Sequence, residues 1–248
     1  MARALGGAAV VVLALVGCAA QSESPTGIND PYEKTNRQMH AFNKGVDEAL
    51  FKARPGQPRT VDNGFVRSVS NVGSNLGLPG KVVNSLLQGR PEPAVKNTFR
   101  FLINSTIGLG GVFDPAGSSF SLPETDTDFG ETLAVWGVRE GAYVELPVFG
   151  PSTERDAVGT VVDMAMNPVG QVLKGADAAA ASTARVAGKV ADRKIHGDIV
   201  ESILYDSADS YAQARLLYLQ NRRYQLSGQE YNDAQAWDPY ADPYQQQQ

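Results

Sequence analysis

Cys18 is the only cysteine among 248 residues, so no internal disulfide can form. It closes L-V-G-C, Leu15 to Cys18, directly after an apolar run. A branched apolar residue, small residues before the cut and then a cysteine are what a bacterial lipobox needs, the thiol taking a diacylglycerol. Other reactive side chains have weaker settings. His40 and His196 are the only histidines, and neither belongs to an H-E-x-x-H or Cys/His cluster, which favours a structural role over a metal or catalytic one. Asp126, Asp128 and Glu131 offer paired carboxylates of the kind a hydrolase uses, though loop acids are more often solvated. Ser74 and Ser152 lack the flanking glycines of a G-x-S-x-G elbow. G-L-G-G-V-F at Gly108 lacks the last glycine of a dinucleotide fingerprint, and L-P-G-K-V around Lys81 lacks the residues that complete a P-loop. Catalysis has little support, and no cofactor is indicated.

The formal net charge is −5 and no basic run occurs, which argues against nucleic acid as a partner. Hydrophobic residues make up 42 %, too many for a disordered chain and enough for a folded one.

The elements that must position these groups are organised around Ala94 to Ala116, A-V-K-N-T-F-R-F-L-I-N-S-T-I-G-L-G-G-V-F-D-P-A. Val95, Phe99, Leu102, Ile103 and Ile107 fall at helical spacing. Gly108, Gly110 and Gly111 then break the helix, with Leu109, Val112 and Phe113 as apolar flanks. A greasy hairpin of this kind is either buried in a core or immersed in something other than water. A helix over 94–107 measures about 21 Å at roughly 1.5 Å per residue. That falls short of a hydrocarbon layer of about 30 Å.

Residues 1–17 read as a signal sequence, 18–28 as a lipidated linker, 29–228 as one helical domain and 229–248 as a disordered polar tail. Within the domain, Asn29-Asp30-Pro31 signals a helix start, and an amphipathic helix runs to about Lys52. A second helix carries Val61, Phe65, Val69, Val72 and Leu76. Leu78-Pro79-Gly80 is expected to turn the chain into a short third helix over 82–87. A polar loop spans 118–128, and Asp128 to Glu131 resembles a capping box that opens a helix over 129–136. Residues 142–147 are strand-like. Ser152 is expected to cap a helix through Met166. Helices over 175–195 and about 209–226 complete the domain.

Several blocks together resemble one family. N-D-P-Y-E-K-T-N-R-Q-M-H-A-F-N (Asn29 to Asn43), N-S-L-L-Q-G (Asn84 to Gly89), F-R-F-L-I-N-S-T-I-G-L-G-G-V-F-D-P-A (Phe99 to Ala116), F-G-E-T-L (Phe129 to Leu133), W-G-V-R-E-G-A-Y-V-E-L-P-V-F-G-P-S-T-E-R-D (Trp136 to Asp156) and D-S-A-D-S-Y-A-Q-A-R (Asp206 to Arg215) are similar, in order, to the MlaA/VacJ outer-membrane lipoproteins. The resemblance covers about 29–223 and leaves the tail unassigned. It implies an all-α fold, a single domain of short amphipathic helices forming a ring in the inner half of the outer membrane, with a central polar channel. It implies removal of misplaced phospholipids from the outer leaflet, delivery to an MlaC-type periplasmic carrier, and a trimeric porin as neighbour. Ala19 after the lipidated cysteine favours the outer membrane, with the protein anchored on the periplasmic side.

Asp156 and Asp163, seven apart, share a helix face with Arg155 beside it. By resemblance this face lines the channel; a solvated outer face is the competing reading. Gly108, Gly110, Gly111 and Phe113 resemble the family's mobile loop at the channel mouth, against the alternative of a packed hairpin. A lipid hydrolase and a structural envelope lipoprotein stand as rival functions.

Overall fold

The computed structural model describes residues 28–52 and 56–227; the signal sequence, Cys18, the linker up to residue 27 and the polar tail lie outside the described residues. The chain folds as α1 (Glu33–Phe51), α2 (Gly64–Leu87), α3 (Pro91–Thr106), α4 (Pro115–Ser118), α5 (Phe129–Val135), β1 (Tyr143–Leu146), β2 (Gly150–Thr153), α6 (Glu154–Met166), α7 (Pro168–Val172), α8 (Gly175–Ile195), α9 (Gly197–Leu204) and α10 (Ser210–Ser227). The expected helical class holds, with one antiparallel hairpin, Tyr143 opposite Thr153 and Leu146 opposite Gly150. No described helix is long and apolar enough to cross a membrane.

α2 packs along both α3 and α8. Its approach to α8 is as close as backbones allow, because a Cβ on Gly73 would stand 2.7 Å from the Gly188 Cα. The expected turn at Leu78-Pro79-Gly80 does not form: α2 runs unbroken through Pro79. Proline costs an interior helix its amide donor and about 3 kcal/mol. Leu78 is wholly buried, so packing on this stretch of helix offsets the local preference. Asp30 does not cap α1 either. It is turned inward, accepting from Asn36 at 2.9 Å and from Tyr211 and Arg215 of α10. Ser152 belongs to β2, and Thr153 caps α6 one residue later, its Oγ1 accepting from the Asp156 amide at 3.3 Å.

Burial runs opposite to that of a water-soluble domain. Among the described residues 18 buried side chains are polar or charged and only nine are hydrophobic. Soluble interiors have the reverse preference. On α1 the inward stripe is Asn36 and His40, continued by the half-buried Asn43 and Asp47, while Phe42 and Leu50 face out. On α3 Asn97, Arg100 and Asn104 are buried, whereas Val95, Phe99 and Leu102 are each more than half exposed. Phe65 is 78 % exposed and Val172 77 %. The apolar faces seen in the sequence are therefore outer faces.

Candidate functional site

The polar interior is built from heptad-spaced amides and charges on apolar helices. Asn36 of α1 acts on β1 as a neighbouring strand would: its Nδ2 donates to the Tyr143 carbonyl at 3.0 Å and its Oδ1 accepts from the Glu145 amide at 3.0 Å. Two turns on, Asn43 holds the hairpin turn, donating to the Leu146 carbonyl at 2.9 Å and accepting from the Val148 amide at 2.7 Å. That bond helps secure Val148 at φ 68°, a backbone setting costly for a β-branched residue.

The loop over 118–128 is folded onto the inner faces of α2 and α3. Asn97 donates to the Thr125 carbonyl at 2.8 Å and accepts from its amide at 3.2 Å. Glu124 accepts from Ser74 at 2.5 Å and pairs with Lys81, which also meets Asp126 at 2.7 Å. The loop acids considered for hydrolysis each have a partner of their own. Asp128 caps α5, accepting from the Glu131 amide at 2.8 Å, and Glu131 meets Arg90 at 2.5 Å.

Arg155 and Asp156 are buried together near the start of α6. Arg222 of α10 reaches them and bridges two acids, its Nη2 lying 3.0 Å from Asp156 Oδ1 and 2.7 Å from Asp128 Oδ1. Tyr218 donates to Asp156 Oδ2 at 2.7 Å. Burial pushes the Asp156 carboxyl up, but Arg222, Arg155 and Tyr218 outweigh it and hold it below the usual carboxylate range. Asp163 lies on the same face of α6 yet belongs to a different contact. It accepts from Asn84 at 2.8 Å and from the Phe129 amide, the first of α5, at 2.9 Å. No described cation pairs with it, and burial raises its carboxyl above the ordinary value despite those two donors. Between these acids Gly159 lets α5 press against α6: a Cβ there would stand 2.6 Å from the Gly130 Cα. Asp156 and Asp163 both meet α5, the first beside Gly130 and the second at the Phe129 amide. A crevice of about 10 Å³, room for one water, opens beside Asp163, Asn84 and Phe129.

The glycine hairpin continues α3. Gly110 donates to the Ser105 carbonyl at 3.1 Å, Gly111 to Asn104 at 2.8 Å and Phe113 to Gly108 at 3.0 Å. Gly110 and Gly111 have φ of +74° and +95°. Gly110 faces open space, whereas a Cβ on Gly111 would meet the Asn75 Cβ at 2.6 Å and one on Gly108 the Phe113 carbonyl oxygen at 2.5 Å. Leu109 and Phe113 point outward, 68 % and 56 % exposed. The base is clamped by Asp114, which accepts from Arg100 at 3.0 Å and Asn104 at 2.8 Å.

His40, Ser210 and Glu145 also come together. His40 Nε2 is 3.0 Å from Ser210 Oγ, and its Nδ1 is 3.2 Å from Glu145 Oε1. This is the order of nucleophile, base and orienting acid. The Ala212 amide beyond the serine bonds to Asp209 at 3.0 Å, so it is not free to receive an oxyanion. Arg222 and Asn97 lie outside the blocks that resemble the family, and Ser210, Asn36, Asn43, Asn84 and Asn104, though inside them, form polar stripes rather than a catalytic or charge-cluster motif. Their signal is present all the same, as asparagine and arginine at three- and four-residue spacing along helices whose other faces are apolar.

A family model described as MlaA lipoprotein matches residues 28–225. An uncharacterized protein of Rickettsia felis is 38 % identical over 144 residues, and the match spans 57 % of either chain, somewhat over half its length. The intermembrane phospholipid transport system lipoprotein MlaA of Haemophilus influenzae is 31 % identical over 221 residues, 87 % of each chain. Its Escherichia coli counterpart is 38 % identical over 157 residues, 60 % of this chain and 61 % of that one. A solved structure concerned with the structural basis for maintenance of bacterial outer membrane lipid asymmetry superposes with TM-score 0.60 at 28 % identity, over 79 % of this chain and 98 % of that one.

Proposed function

Because the chain belongs to the MlaA lipoprotein family, we propose that it removes misplaced phospholipids from the outer leaflet of the outer membrane and passes them, chemically intact, to a soluble periplasmic carrier. The observation that carries this reading is the inverted distribution of polarity, with charges and amides inside and apolar side chains outside. An outer surface of Phe65, Phe99, Leu109 and Val172 is costly in water and stable among acyl chains. Helices satisfy their own backbone hydrogen bonds, so short ones can lie in lipid without spanning it. A phospholipid needs a polar route for its headgroup and an apolar one for its tails, and a ring with a polar interior supplies the first.

In this reading Cys18 carries the acyl anchor on the periplasmic side, a trimeric porin stands beside the ring, and Arg155, Asp156 and Asp163 hold the polar wall. Asp156 contributes through Arg222, as a brace. Asp163, whose two oxygens accept from Asn84 and the Phe129 amide, ties α5 to the wall beside a crevice with room for one water. The glycine hairpin acts as the gate, with Gly110 facing open space at its tip and Gly108 and Gly111 packed at its base. The test is transfer of labelled phospholipid from vesicles bearing the lipidated protein to a soluble carrier, with lipid mass spectra taken before and after. Intact lipid on the carrier supports transport. Free fatty acid or released headgroup favours a hydrolase, and no movement of lipid favours a structural lipoprotein.

A further inference from the structure

A cavity of about 280 Å³ opens where α1 and α8 end, away from the polar interior. Its wall is Ala49, Leu50, Phe51 and Lys52 of α1 and its cap, Gln57 to Arg59 and Val61 of the connector, and Arg193 and Lys194 of α8. Among the described residues, four cationic side chains line it and no acidic one does. Three of these cations already pair with acids that are not among the lining residues. Arg193 is held by Asp47 through Nε and Nη2 at 2.6 and 2.8 Å, which leaves Nη1 unused by that pair. Arg59 pairs with Asp206 at 2.7 Å and with the buried Glu201 at 3.2 Å, and Lys52 with Glu48 at 2.6 Å. Lys194 has no carboxylate partner among the described residues; its ammonium lies 5.6 Å from the centre of the Phe51 ring.

Exposed valines precede the cavity on α8. Val186, Val190 and Lys194 follow one another at four-residue spacing on α8, so one stripe passes from exposed valines to a cation. Leu50, also exposed, flanks the cavity from α1. We propose that this cavity is a phosphate-binding site at the rim of the apolar belt, taking the phosphodiester of a phospholipid whose chains lie along Val186, Val190 and Leu50. The site rests on the membrane-immersed outer wall of the transport reading, not on passage through the interior. The same cations would hold free inorganic phosphate, a second source of the same chemistry.

The experiment uses the full-length lipoprotein in dodecyl maltoside, titrated separately with short-chain phosphatidylglycerol and with inorganic phosphate, followed by ³¹P resonance. Lys52→Gln with Lys194→Gln should weaken binding about tenfold, within reach of two rim charges. Lys194→Arg should keep it, and Lys194→Glu should abolish it. Equal melting of all variants excludes a folding effect. Lipid bound well above phosphate assigns the site to a headgroup, and equal affinities assign it to free phosphate; either supports a phosphate site. No binding of either probe, or binding unchanged in Lys194→Glu, overturns it. Failure of the wild type to deliver lipid to a carrier would instead sink the transport reading and leave this titration standing.

Discussion

Arg222→Met is the sharpest perturbation of the interior. The guanidinium has two acidic partners of different worth. Asp156 is buried, with a side chain only 8 % exposed, while the Asp128 side chain is 45 % exposed. An exposed pair is worth roughly 0–1 kcal/mol after screening. Removing one partner of a buried pair costs about 3–5 kcal/mol, because the other charge is left without compensation. Arg155, 3.0 Å from the same carboxylate, and Tyr218 shield part of that charge, so the lower end, about 3 kcal/mol, is expected. At roughly 2–4 °C per kcal/mol for a chain of this size, the melting midpoint in detergent should fall by ~6–12 °C. Adding Asp156→Asn should cost less than the sum of the two single losses, since both break the same pair, but it leaves buried Arg155 without its carboxylate and so does not restore the melt. The pH dependence has a fixed sign. Asp156 is held below its unfolded value, so its stabilisation is present above that unfolded value and is lost as pH falls through the folded one. Arg222→Met should therefore flatten the acid limb of the stability curve. A loss under 1 kcal/mol, or a double variant worse than the sum of the singles, would show that the cluster is solvated and the reasoning wrong.

Four further outcomes are expected. Asp163 has a raised folded value, so its charge costs stability as pH rises through it; Asp163→Asn should melt higher than wild type at neutral pH and equal to it in acid, and a lower neutral melt would contradict the burial argument. Gly110→Ala should cost roughly 1–2 kcal/mol from its left-handed backbone alone, whereas Gly111→Ala must also displace Asn75 and should cost clearly more; equal melts would refute the packing. Gly159→Val should separate α5 from α6 and lower the amount of folded protein in the membrane, while a normal level would mean that the two helices are not in contact. Ser210→Ala should leave lipid transfer unchanged and remove about 1 kcal/mol of stability with the His40 bond; loss of transfer at an unchanged melt would make the serine functional.

The helices were legible because their periodicity is strong, but periodicity does not say which face is inside. A stripe of Val95, Phe99 and Leu102 opposite Asn97, Arg100 and Asn104 is equally two-faced whether water or lipid surrounds it. What separates the two cases is the polar stripe. Asparagines with both amide atoms engaged, as in Asn36 and Asn97, cannot be replaced by water-facing residues without opening the loop or hairpin they hold. Spacing pointed to Asp156 and Asp163 but not to α5, which both meet, because the contact rests on two glycines, Gly130 and Gly159, whose meeting leaves no pattern in sequence. The turn expected at Pro79 failed for the complementary reason: a strong local signal was outweighed by the contacts of Leu78, one residue before it. In a molecule turned inside out, the apolar residues report the solvent and the polar ones report the fold. Substituting an outward leucine should then change membrane affinity, and substituting an inward asparagine should change structure.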